Sequence, residues 1–418
     1  MEKPLTAIVH YSSPPVVGGV EAVMRAQAES FIGHEYPVRV VSGQGAADAL
    51  PVGVDFIRLP ELDSQHPAVL SISRELEEGR IPEGFGPFRA RLRQMLEEAL
   101  EGAETIIVHN VFTKHFNLPF TAALAEILEH HSSLRCLAWC HDFTWTSDHS
   151  RPKVHEGYPW DLLRTRLARV TYVTISERRQ VELAGLLGCE KEDVSVVYNG
   201  VDASILFGLS GVGLALVERL GLLDCGLSLL MPVRVTEAKN VEYAIRLSAA
   251  LKQRGADPRV VITGPPDPHD PASMRYFDSL RALRSQLGVE EEIRFVYESG
   301  EVPGQPLLIG MEEVAQLYRA CDLLFMPSHR EGFGMPILEA GLLGIPVVCT
   351  AVPAAEELGG ESAFIFDPNL DPGTLADRIL SFVRSNPIAA FRLRVRTDLT
   401  WRAIFRQRIE PLLARPAR

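Results

Sequence analysis

Short apolar runs rich in β-branched residues alternate with longer amphipathic stretches along nearly the whole chain. This alternation constrains the fold more than any other feature. In the first half the runs are 5–10, 38–43, 54–59, 105–109, 134–140, 171–176 and 194–199. Segments of helical period lie between most of them, such as 20–31, 88–100 and 120–130. The order is interrupted at 204–226, a Gly- and Leu-rich stretch that reads as a linker plus one helix. It resumes with runs at 227–235, 259–264, 292–297, 322–328, 345–350 and 362–367. Strand then helix, repeated, predicts parallel sheets covered on both faces. At 418 residues the chain is too long for one ordinary core, so two doubly wound α/β domains are expected. Their bounds are read as 1–205 and 206–390, followed by a helical segment 391–418 that packs back on the body.

Composition removes several classes. With 46% hydrophobic and 23% charged residues the chain is globular. A net charge of −12 argues against a nucleic-acid partner. No apolar run is long enough to cross a bilayer, and the N-terminus has no secretory pattern. The six cysteines form no CxxC pair and no zinc spacing, so reduced buried thiols and a cytoplasmic location are expected. The tail 391–418 holds eight arginines against two acids. It reads as a solvated helix face in so acidic a chain. With FRARLRQM (88–95), it would supply the basic contacts of a membrane-surface enzyme, a reading not favoured. Phe391, Trp401 and Phe405 suggest that one side of the tail is covered.

Open parallel sheets bind ligands beyond the carboxyl ends of their strands, so the loop leaving each strand matters most. After 5–10, Gly18 and Gly19 precede a helix whose N-terminus suits an anion; a plain turn fits equally. After 227–235, Arg234 and Lys239 could hold a diphosphate, or be ordinary surface cations. The most specific stretch comes after 322–328: Glu331-Gly332-Phe333-Gly334-Met-Pro336-Ile-Leu-Glu339. Seven residues separate the two glutamates, so both can face one ligand from a helix start. The glycines free the backbone, and Pro336 suits a first turn. Carboxylates accept hydrogen bonds from sugar and ribose hydroxyls.

These residues resemble the retaining nucleotide-sugar glycosyltransferases of family 4, with the GT-B fold of two Rossmann-like domains facing each other across a cleft. The resemblance rests on EGFGMPILEAGLLGIPVV (331–348), RVTEAKN (234–240), VVYNGVD (196–202) and PPVVGGVE (14–21). It implies that Glu339 accepts from the ribose and Glu331 from the donor sugar. Gly332, Phe333 and Gly334 would line that sugar, and Arg234 and Lys239 would neutralise the diphosphate. Gly19 would meet the phosphate or shape the acceptor pocket. His141, in WCHDF, would face the donor sugar, with Asn110 and Asp142 as acceptor contacts. Asn199 to Asp202 is a hinge candidate, or a simple turn.

The implied reaction is metal-independent transfer of a hexose from a nucleoside-diphosphate sugar to a hydroxyl of a small molecule or glycan. No other cofactor is expected, and no DxD triplet occurs. The family's same-face displacement, with the leaving phosphate helping to deprotonate the acceptor, would give retention. The alternatives are a glycoside phosphorylase of the same fold and a non-catalytic sugar-nucleotide-binding protein. Two departures stand out. Pro353 lies where the family often has a Gly-Gly pair, and Val16 replaces the lysine of bacterial starch and glycogen synthases. The Pro-rich loop 262–271 resembles that of enzymes acting on small glycosides.

Overall fold

A computed structural model describes residues 3–267, 269, 272–302 and 304–414. Pro268, Asp270 and Pro271 of the Pro-rich loop, and Arg415 and Arg418 of the tail, lie outside the described residues. Two compact units emerge. One comprises the chain up to Val201 together with Trp401 onward; the other is Asp202–Thr400. The chain thus leaves the first unit within the Asn199–Asp202 segment. The stretch 391–418, read as one segment, is divided between the units at Thr400.

The first unit holds strands β1 (Thr6–Ser12), β2 (Val38–Gln44), β3 (Asp55–Arg58), β4 (Thr105–His109), β5 (Arg135–Cys140), β6 (Val170–Thr174) and β7 (Val194–Val196). All pair in parallel, in the order β3-β2-β1-β4-β5-β6-β7. The second unit holds β8 (Leu227–Met231), β9 (Pro258–Ile262), β10 (Ile293–Phe295), β11 (Leu323–Met326), β12 (Val347–Thr350) and β13 (Phe364–Phe366). They too are parallel, ordered β10-β9-β8-β11-β12-β13. Every apolar run of the sequence is a strand. The run 227–235 is cut to Leu227–Met231, because Pro232 has no N–H to continue the ladder.

The strands are apolar throughout because both faces are covered. On β1, Ala7, Val9 and Tyr11 join one cluster while Ile8 joins the other. On β8, Leu227, Leu229 and Met231 face one side and Leu230 the other. Period-two alternation therefore sorts residues between two cores and not between core and water. The sequence reading missed the helix Pro67–Glu77, whose buried Val69, Ile72 and Leu76 keep helical spacing. It also took 204–226 to hold one helix, where two short ones form, Ala203–Leu206 and Gly211–Arg219.

The tail is not a solvated face as a whole. Phe405 is fully buried in the first unit, edge-on to Phe31 at 5.1 Å, and Tyr36 donates to Glu410 at 2.9 Å. Phe391, in contrast, is 64% exposed. Arg396 is buried against Asp322 in the second unit. In the helix Phe85–Ala99, Arg89 and Arg93 pair with Glu126 and Glu97, and Arg91 with Glu61. Those acids offset the basic face proposed for a membrane. No helix among the described residues is long and apolar enough to cross a membrane. All six cysteines are free; five are buried and Cys189 is half-buried.

In each sheet the strand order reverses once, between β1 and β4 and between β8 and β11. A cleft opens at such a point beyond the strand ends. Around the second one, Gly264 lies just past β9 and donates to Val233 O at 3.0 Å. A Cβ on Gly264 would lie 2.5 Å from that oxygen. Gly264→Ala is therefore expected to cost about 1–3 kcal/mol through forced backbone displacement, read as a lower denaturant midpoint at constant m-value.

Candidate functional site

The loops after β8 and β11 flank the second reversal and brace each other. Lys239 ends a 3-10 turn, Glu237–Lys239, and the following helix begins at Val241 after a left-handed Asn240. Asn240 Nδ2 donates to Pro327 O at 3.1 Å, and His329 N donates to Ala238 O at 2.9 Å. From the end of β12, Thr350 Oγ1 donates to Ser328 O at 2.6 Å. This frame brings Lys239 Nζ to 2.8 and 2.7 Å from the two oxygens of Glu331. Ser328 Oγ donates to the same carboxylate at 2.5 Å. The Glu331 side chain is 6% exposed and that of Lys239 23%, so the pair is screened only in part.

Beyond Glu331 the backbone turns sharply. Gly334 adopts φ +87°, a left-handed conformation that favours glycine, and caps the helix Met335–Leu342 with Pro336 in its first turn. Gly332 and Phe333 are exposed. The helix start directs partial positive charge toward the same loop. Glu339 lies further along this helix and accepts from Tyr318 OH at 2.6 Å. Burial, then the Glu339 bond, raise the Tyr318 phenol far above its ordinary value, so it stays a donor. One Glu339 oxygen is thereby occupied, and the other has no hydrogen bond among the described residues.

The four expected side chains are only partly assembled. Lys239 and Glu331 meet. Glu339 has no hydrogen bond to either among the described residues. Arg234 lies three residues past β8, 60% exposed, with Asp267 3.9 Å away. The position of the expected Gly-Gly pair holds a short helix, Pro353–Leu358, with proline in its first turn.

A second cluster lies in the first unit, at the reversal between β1 and β4. Gly19 opens the helix Gly19–Gly33 and Gly18 caps it. The helix start already meets a carboxylate of the chain. Glu21 accepts from Ser12 Oγ at 2.5 Å, and a Cβ on Gly18 would stand 2.1 Å from Glu21 Oε2. Asn110, at φ +58°, uses Oδ1 to accept from His141 N at 2.8 Å and Asp142 N at 3.2 Å. Asp142 accepts from Arg179 at 3.1 Å. His141 Nε2 lies 3.0 Å from His109 Nδ1, and His109 Nε2 lies 3.0 Å from Gln27 Oε1. His10 Nδ1 donates to His109 O at 2.8 Å.

The sequence reading singled out His141 alone and passed over His10, His109 and Gln27, and in the second unit Ser328 and Tyr318. The histidines did carry a signal: His10 lies in the run 5–10, His109 ends the run 105–109, and His141 comes directly after 134–140.

The two units match two family models laid end to end. Residues 17–205 match Glycosyltransferase Family 4, and residues 226–397 match Glycosyl transferases group 1. The chain belongs to glycosyltransferase family 4. Among curated family relatives, a D-inositol 3-phosphate glycosyltransferase of Thermomonospora curvata is 31% identical over 253 residues, covering 56% of this chain and 54% of that protein. One of Actinosynnema mirum is 35% identical over 175 residues, covering 41% and 38%. The chain spans about half the length, or less, of these relatives. A solved structure of Anabaena Alr3699/HepE with UDP and glucose is 20% identical, over 98% of this chain and 99% of that one, at a TM-score of 0.36.

Proposed function

We propose that the chain transfers a hexose from a nucleoside-diphosphate sugar to an acceptor hydroxyl, without a metal and with retention at the anomeric carbon. The observation that carries this reading is the Lys239–Glu331–Ser328 cluster at the carboxyl end of a parallel sheet, in the loop that leads into the helix bearing Glu339. Breaking the anomeric C–O bond places negative charge on the leaving diphosphate. Lys239 and Arg234 stabilise that charge electrostatically. Glu331 accepts from the sugar hydroxyls, with Gly332, Phe333 and Gly334 beside it, and Glu339 accepts from the ribose. Gly19, His141, Asn110 and Asp142 are the first unit's candidates for ligand contact. The curated relatives are named for D-inositol 3-phosphate, so a phosphorylated cyclitol is the first acceptor to try.

The test is a thermal-shift screen with UDP, GDP, ADP and their sugar conjugates, with turnover then measured on the best donor. A cognate nucleotide at 100 times its Kd should add about 2.7 kcal/mol to stability. Glu339→Ala should weaken that nucleotide roughly 10-fold or more, as expected for loss of a charged hydrogen bond. A chain that no nucleotide stabilises would refute the donor class. Release of sugar 1-phosphate from a disaccharide and phosphate, with no nucleotide, would establish a phosphorylase instead.

A further inference from the structure

We propose that Gln27 and His109 are positioning residues that hold His141 with its proton on Nε2 and its Nδ1 lone pair free to accept from a substrate hydroxyl. The proposal rests on the transferase reading above and adds to it the tautomer of the histidine.

The hydrogen bonds fix this order from the inside outward. Gln27 is fully buried on the helix Gly19–Gly33, and the end of its amide that faces His109 is Oε1. An oxygen can only accept, so His109 carries its proton on Nε2. A neutral imidazole has one N–H, which leaves His109 Nδ1 as an acceptor. The atom 3.0 Å from it is His141 Nε2, which must then donate. His141 Nδ1 is left with its lone pair, and it has no hydrogen-bond partner among the described residues.

Two further observations support this order. All three rings are neutral at pH 7. His109 is fully buried and held well below its ordinary value by burial, then by His141 and His10. Burial, then His10, lower His141 to about 4 against the raising effect of Asp142, and burial lowers His10 to about 4. The backbone that carries His109 is also held, because His10 Nδ1 donates to its carbonyl oxygen. Orienting partners of this kind set which nitrogen of a histidine is available.

The Gln27 amide is the switch that sets the order. Its Nε2 is buried without a partner. Turning the amide over would present Nε2 to His109, reverse both tautomers and put the His141 proton on Nδ1. The chain would then offer a substrate a donor where the structure offers an acceptor.

The experiment is long-range proton–nitrogen correlation on the full chain labelled with 15N-histidine at pH 7.5, with His141 assigned by its loss in His141→Gln. The expected result is a protonated Nε2 and an unprotonated Nδ1 at His141. Gln27→Met should give a mixture of tautomers and lower kcat by about 10–100-fold. Gln27→Glu, which keeps an acceptor oxygen, should restore the single tautomer. A proton on Nδ1 in the unsubstituted chain, or an unchanged tautomer in Gln27→Met, would overturn the proposal. If neither variant folds, the unsubstituted spectrum alone decides. That spectrum needs no turnover, so it separates failure of the relay from failure of the transferase reading.

Discussion

Glu331→Gln is expected to lower kcat/KM for sugar transfer roughly 10²–10³-fold. The amide keeps the size and one oxygen of the side chain but removes the charge that Lys239 and Ser328 both hold. That charge is nearly covered, with the carboxylate 6% exposed. Its two oxygens are therefore held in place by Lys239 and Ser328, and on the proposed reading the sugar hydroxyls would meet an acceptor that needs no reorganisation. The effect should be selective. A nucleoside diphosphate without its sugar should still raise the Tm of the variant, while the extra shift given by the sugar conjugate should disappear. An unchanged rate would remove Glu331 from the reaction. Loss of both shifts would mean that the glutamate acts by holding Lys239 and the loop.

Arg396→Ala is expected to cost about 3–5 kcal/mol of stability, the largest effect predicted for the fold. The guanidinium is 2% exposed and lies against Asp322 at 2.6 and 3.1 Å. It also donates to Cys225 O at 2.8 Å and Leu222 O at 3.2 Å. Asp322, 6% exposed, accepts in addition from Ser228 N and Oγ, each at 2.8 Å. Ser228 lies in β8 and Asp322 immediately precedes β11, so the pair ties the helix Pro387–Asp398 to the two strands that flank the reversal. Removing the arginine leaves a buried carboxylate without its counter-charge. Urea denaturation should show the loss, and Asp322→Asn in the Arg396→Ala background should recover part of it. A change below about 1 kcal/mol would place the pair among weak surface bridges.

The sheets were legible in the sequence because their strands are buried on both faces. Such strands read as continuous apolar runs, and LTAIVH or DLLFMPS needs no partner to be recognised. Pro67–Glu77 was harder, since only Val69, Ile72 and Leu76 mark its covered side. In the site, Glu331, Glu339 and Lys239 stood out by spacing and by the glycine turn between the acids. Ser328, Tyr318 and Gln27 did not, because their roles arise from distance across the fold. Tyr318 reaches Glu339 from another helix, and Gln27 meets His109 across 82 positions of sequence. Arg396 was counted with the tail's charges. Its burial depends on Asp322, 74 residues away.

The return of the chain to its first unit at Trp401 has a consequence for synthesis. Phe405, Ile409, Leu412 and Leu413 cover the surface made by Ile8, Met24 and Phe31. The ribosome finishes the whole of Asp202–Thr400 before it makes those residues. The first unit therefore waits for the synthesis of the second before that apolar surface receives its final covering.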